Sequence, residues 1–327
     1  MRRRLLRHPN YIIATYDILK TDSPTQILGY NQSDTSVTYD FNQIDSIEIC
    51  GDVITPRTHY TFPILGKVTV RYNFSKDFNS MYNLFRNCTQ LVEVDLRHFN
   101  THNCTNMRAA FHYCTSLNSF IMGEDFTTKY VTDMGYMFHN CTSLTSTVLE
   151  PFISTFDTSS CTKMDAMFYS CSKLNKLTFD TYPLWDTSKV VDMHYMFADM
   201  ASMGSYDWQT GLGLKINTDN GTSALNTSSL VTCYGMFTEN ANKAFTYMNL
   251  QMDLSKVTDM RYLFSGCNYI SGIRMKSALN SKLTADGVAG MFYELPTSGT
   301  FTYNKNEPKY QSLIIPELKS GWTKVGE

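Results

Sequence analysis

The residues best suited to chemistry in this 327-residue chain are two histidine–cysteine pairs, His112 with Cys114 and His139 with Cys141. Neutral imidazole and thiolate are good zinc ligands. The equivalent positions elsewhere in the chain hold Arg86, Tyr169 and Ser265 instead of histidine. A metal centre is therefore not expected. Cys88, Cys114, Cys141, Cys171 and Cys267 each stand three residues after a phenylalanine, and Cys104 and Cys161 fill positions held elsewhere by Val or Leu. That placement suits small buried hydrophobes, so the nine cysteines read as a reduced ladder rather than disulfides. Asp133, Asp192 and Asp259 recur five residues before a phenylalanine, where capping of a helix start accounts for a carboxylate better than acid–base catalysis. No nucleophile elbow, P-loop or dinucleotide fingerprint is present, so neither a catalytic residue nor a cofactor is expected.

A second set suits binding. Tyr82, Tyr136, Tyr195, Tyr234 and Tyr262 lie two or three residues before those phenylalanines, joined by Arg108, His194 and Arg261. Tyr and Arg are enriched at the centres of protein contacts. Trp208 joins them as a candidate, inside a Gly-, Asn- and Thr-rich insert at 204–222, because insertions in repeat arrays emerge as loops on one face. Asp219 and Asn220 of that insert are too few to hold calcium.

What positions these residues is a repeat. LFRNCTQL (84–91), AFHYCTSL (110–117), MFHNCTSL (137–144) and MFYSCSKL (167–174) are variants of one phrase. Its anchors Phe85, Phe111, Phe138, Phe168, Phe197, Phe237, Phe264 and Phe292 are spaced by 26, 27, 30, 29, 40, 27 and 28 residues. Apolar residues four and seven before each anchor, such as Met134 and Val131, predict a short helix whose apolar stripe faces inward and whose tyrosines face out. Asp or Asn eleven residues before the anchor, as in FDTS (156–159) and WDTS (185–188), predicts a side-chain-bonded turn. Alternating stretches opening six residues after it, LVEVDL and LNKLTF, predict strands that align into a parallel sheet along the array. A single unit cannot offset a backbone ordering cost of roughly 1–2 kcal/mol per residue. Burying each anchor between neighbours contributes about 1.5–3 kcal/mol, so stability must lie between units.

Bulk composition narrows the partners. A net charge of -2 gives no basic field for nucleic acid, and no apolar run reaches the roughly 18 residues of a membrane span. The opening MRRRLLRHPNYIIATYD carries Arg2, Arg3, Arg4 and Arg7 but no small-residue cleavage site, and reads as a mature terminus made in the cytoplasm, with the arginines on a solvated tail.

The phrase VTDMGYMFHNCTSL (131–144), echoed in VTDMRYLFSGC (257–267), resembles the BspA-like leucine-rich repeats. The resemblance implies an α/β repeat, a leucine-rich-repeat-like solenoid of short helices and a parallel sheet over residues 78–295. A β-rich N-terminal segment (1–77) would act as cap or docking module, and 296–327 would supply a capping strand. Such proteins are similar to bacterial surface antigens and to virion proteins of phages of gut Bacteroidetes. The function this implies is a non-enzymatic virion component, assembled in the host cytoplasm, that contacts other virion proteins or itself. The alternative is a cell-surface adhesin that contacts a host protein or glycan.

Overall fold

The computed structural model describes residues 10–29, 40–75, 78–205, 213–215 and 224–327. The arginine cluster Arg2–Arg7, Trp208, Asp219 and Asn220 lie outside the described residues. The chain begins with strands β1 (Tyr11–Ile18), β2 (Thr25–Gln26), β3 (Ile44–Ile49), β4 (Asp52–Ile54), β5 (His59–Tyr60) and β6 (Gly66–Phe74). β1 buries Ile12, Ala14, Tyr16 and Ile18 and turns the intervening residues outward, the alternation of a strand with one face on a core. Its partners are β6 and β7 (Leu91–Asp95), both antiparallel, so the N-terminal sheet continues directly into the repeats. The sheet runs β4-β3-β6-β1-β7-β8, with β8 at Ser119–Ile121.

Beyond β8 the sheet stops. Where the next alternating stretch was expected after Leu144, the chain forms helix α1 (Ser146–Ile153), which buries Leu149, Phe152 and Ile153. Strands resume as a pair, β9 (Lys176–Thr178) with β10 (Gly213–Lys215), and then as a parallel sheet of β11 (Tyr247–Leu250), β12 (Gly272–Met275), β13 (Ser298–Tyr303) and β14 (Gly321–Gly326). β10 comes from the insert, and a buried Lys215–Asp180 ion pair at 2.6 Å ties it to the segment after β9.

These observations overturn the expectation of an α/β repeat solenoid of short helices backed by one parallel sheet. The molecule is mostly strands in several small sheets, and among the described residues α1 is the sole α-helix. The anchor phrases are not helical. Each is a run of tight turns, with the backbone in the left-handed region at two residues, one two before the phenylalanine and one two after it: Tyr136 and Asn140 around Phe138, Ala166 and Ser170 around Phe168, Tyr262 and Gly266 around Phe264. A right-handed helix has no place for such residues. The turn N–H groups bond three residues back, as Met137 to Met134 and Cys141 to Phe138, the pattern of type II turns with a left-handed third residue.

Alternate N–H groups of each run cross to the next. Phe111 donates to the carbonyl of Met137, Phe138 to that of Met167, and Phe168 to that of Met196, with matching bonds two residues to either side. This ladder brings the anchors into a stack. Successive rings from Phe85 to Phe292 lie 5.6–6.2 Å apart and within 13° of parallel. The 40-residue step between Phe197 and Phe237 leaves that spacing at 5.9 Å, so the insert leaves the stack intact.

Candidate functional site

The face of the molecule formed by the turn runs carries the candidate site, and the hydrogen bonds beneath it fix its geometry. The anchor-phrase thiols belong to that foundation. Cys114, Cys141, Cys171 and Cys267 each donate at 3.0 Å to the carbonyl of the preceding unit's anchor, namely Phe85, Phe111, Phe138 and Phe237. Asn240 stands in place of cysteine and donates to the Phe197 carbonyl at 2.8 Å, so the amide does the work of the thiol. Burial pushes these thiols up, Cys171 and Cys267 to about 12. They are poor nucleophiles.

The imidazoles take other partners. His112 Nε2 lies 2.7 Å from His139 Nδ1, and burial, helped by the Arg86 charge, pushes His139 down to about 4 and His112 further, to about 2. The recurrent carboxylates are turn-formers. Asp133, Asp192 and Asp259 accept the backbone N–H two residues on, from Gly135, His194 and Arg261. These are Asx turns rather than the helix caps their spacing suggested.

Of the binding candidates, Tyr136, Tyr195, Tyr234 and Tyr262 line one open groove of about 870 Å³. Tyr82 is half-buried near the start of the stack and does not line it. Arg108, His194 and Arg261 are held on the rim by the protein's own carboxylates. The Arg108 guanidinium grips the buried Asp165 with two bonds of 2.9 and 2.7 Å, reaches Asp133 at 3.2 Å, and lies 4.8 Å over the Tyr136 ring. Burial works against its charge, and Asp165 and Asp133 outweigh that and raise its pKa. Arg261 pairs with Asp259 and lies 5.2 Å from the Tyr234 centroid. His194 is bonded to Asp192 at 2.7 Å, which raises its pKa. These three residues orient the aromatic wall.

The groove contains residues that the sequence did not single out for binding: Tyr113, Tyr169 and Tyr293, one or two positions after the anchors, together with Glu239 and Glu294, and His139, considered there only as a zinc ligand. Their rings form an edge-to-face chain, His139–Tyr169 at 4.6 Å, Tyr169–Tyr195 at 5.8 Å, Tyr195–Tyr234 at 5.1 Å and Tyr234–Tyr262 at 5.5 Å. Such pairs favour one another by about 0.5–1.5 kcal/mol beyond area burial. The signal was available, since the columns one and two after the anchor repeat as regularly as those before it.

Room for the large rings comes from an alternation along the stack. Two residues before the anchor stand, in order, Ala109, Tyr136, Ala166, Tyr195, Gly235, Tyr262 and Gly290. A Cβ on Gly235 would come within 2.5 Å of the Tyr195 ring, and one on Gly290 within 2.6 Å of the Tyr262 ring. Gly235 and Gly290 each leave space for the tyrosine of the unit before it.

A model of the family described as "Mycoplasma protein of unknown function, DUF285" matches residues 79–206, 146–278 and 214–295. Those spans cover most of the chain and all eight anchor units. No curated protein and no solved structure matches.

Proposed function

The chain belongs to this repeat family, and from that premise we propose that it is a non-enzymatic interaction protein whose contact surface is the aromatic groove. One observation carries the reading. Tyr113, Tyr136, Tyr195 and Tyr262 all sit in the left-handed region, at φ of 56–59°, which costs a non-glycine residue roughly 1–2 kcal/mol. Equivalent positions in other units hold Asn83, Asn140, Gly235 and Gly266, so the turns do not require an aromatic. A strained backbone that persists marks a place where something other than stability is served. All four tyrosines border one groove, and tyrosine offers large, rigid, amphipathic contact area at low entropic cost. The recurrent chemistry-bearing groups, by contrast, are committed to structure: the anchor-phrase thiols to anchor carbonyls, Asp133, Asp192 and Asp259 to Asx turns, and Arg108 and Arg261 to ion pairs.

In the function proposed, the groove joins the chain to other proteins of an assembly or to further copies of itself, and the resemblance of the repeat points to a virion as that assembly. A photocrosslinking residue placed at Tyr169 or Tyr293, with exposed Tyr130 outside the groove as control, tests the surface in its native setting. The groove positions should give one discrete polypeptide adduct that the control does not. Identical adducts at all three positions, or none, overturn the reading. The same preparation separates the two settings: a fixed number of copies per purified particle supports the virion, and an adduct to a cell-surface protein or glycan supports the adhesin.

A further inference from the structure

The groove's charge and repeat spacing say more about what it holds. Among the described residues its lining includes Glu239 and Glu294 but no lysine or arginine. Asp199 occupies the same column one unit before Glu239, beyond the groove lining, where it accepts a hydrogen bond from Ser170 Oγ. Both glutamates are exposed, and among the described residues neither has an ion-pair partner. The nearby cations, Arg108 and Arg261, are bound on the rim by Asp165, Asp133 and Asp259. They also show what the wall accepts, since each lies over a tyrosine ring, at 4.8 and 5.2 Å. Aromatic faces beside unpaired carboxylates suit a cationic side chain, through ring quadrupole and charge together.

The carboxylates share one column, Asp199 and Glu239 in successive units and Glu294 two units on, with Gly266 between them. Successive anchors in this stretch are 5.6–6.2 Å apart, and alternate side chains of an extended peptide are roughly 6.6 Å apart. One unit therefore matches two residues of an extended chain, within the reach of a long side chain.

We propose that the groove takes an extended peptide segment with lysine or arginine among its alternate positions, opposite Asp199, Glu239 and Glu294, laid along the stack from Asp199 towards Glu294. The proposal rests on the groove being the contact surface and adds the chemical class of its partner. An anionic partner would meet Glu239 and Glu294 with no lysine or arginine among the described lining residues, and a neutral sugar would make no use of the carboxylates.

The test uses the full chain and fluorescein-labelled dodecapeptides read by anisotropy: arginine alternating with threonine, the same residues with the arginines in one block, and glutamine in place of arginine. The alternating peptide should bind with one-to-one saturation, the block peptide more weakly and the glutamine peptide not measurably. E239Q/E294Q removes two exposed pairing sites and should weaken binding about fivefold. Y195N/Y262N, which keeps residues suited to the left-handed backbone, should weaken it further. E124Q/D125N, on an exposed loop away from the groove, should leave it unchanged, and equal thermal unfolding would show that all variants are folded. If block and alternating peptides bind alike and E239Q/E294Q behaves as E124Q/D125N does, the attraction is unspecific and the proposal fails. If Y195N/Y262N abolishes binding while E239Q/E294Q does not, or a neutral tetrasaccharide binds with the same dependence, the groove stands as a contact surface and the cationic class is wrong. If neither groove variant changes binding, both readings fail.

Discussion

The N-terminal sheet and the anchor stack both bury apolar side chains, by different means. In the sheet, β1 and β6 pair residue by residue from Tyr11 with Asn73 to Ile18 with Gly66, and every second side chain enters the core. In the stack, only alternate N–H groups cross between units, and the others close turns within their own unit. The sheet is held by strands distant in sequence. The stack is held by identical neighbours, each needing the next to complete its hydrogen bonds and to cover its phenylalanine. Removing one ring should therefore do different damage at the middle and at the end of the stack.

The largest expected effect sharpens that contrast. Phe138 lies between Phe111 at 5.9 Å and Phe168 at 6.1 Å, whereas Phe292 is stacked on one side alone, against Phe264 at 6.2 Å, and meets Phe301 edge-on. Phe138→Ala should cost about 3–5 kcal/mol in chemical denaturation, and Phe292→Ala distinctly less. Equal losses would mean that the units are not stabilised by stacking.

A middle-sized effect lies in acid. Burial holds His139 at about 4 and His112 at about 2, against an ordinary value of 6.5. Above that value both are neutral in the folded and unfolded chain alike. As pH falls below it, the unfolded chain takes up protons that the folded chain refuses, so stability drops between pH 6.5 and about 4. His194 acts in the opposite sense: its raised pKa gives stability present below the unfolded value and lost as pH rises through the folded one. His59, also held down by burial, acts with them, so three residues oppose one, and the urea midpoint of the wild type should fall on going from pH 7 to pH 5, while that of H112Q/H139Q should fall less. Parallel shifts would remove these imidazoles from the account.

The N-terminal strands were expected from the resemblance, although the alternating burial of Tyr11–Ile18 carries their own period of two, and the anchors were legible because they recur. The turn runs were misread. Val131, Met134 and Met137, then Phe138, Cys141 and Leu144, are spaced by strict threes, whereas a helical stripe drifts between three and four. Three is the step of the turns: Met137 closes on Met134, Cys141 on Phe138, and Leu144 on Cys141, so Cys141 ends one turn and starts the next. Asn83, Asn87, Asn140, Gly235, Gly266 and Gly290 marked the left-handed positions in advance. The helix that does form, at 146–153, shows the drifting pattern in its buried Ser146, Leu149, Phe152 and Ile153. Taking the runs as helices also hid half of the groove. The tyrosines before the anchor were found, but Tyr113, Tyr169 and Tyr293 were not, because only a chain that doubles back in tight turns returns them to the same face.

The smallest expected effect separates contact from stability. Tyr72, in the N-terminal sheet, is fully buried and donates its hydroxyl to the Ile27 carbonyl at 2.7 Å, so the fold depends on it. Tyr262 is 39% exposed and sits at a φ of 56°. Tyr262→Asn gives up the edge-to-face contact with Tyr234, worth about 0.5–1.5 kcal/mol, and relieves left-handed strain of roughly 1–2 kcal/mol. The two nearly cancel. The expected melting temperature is therefore within a degree or two of wild type, while adducts from a crosslinker at Tyr169 are depleted. A large loss of stability would make Tyr262 part of the scaffold, and the strained tyrosines would then be explained by the fold and not by what it holds.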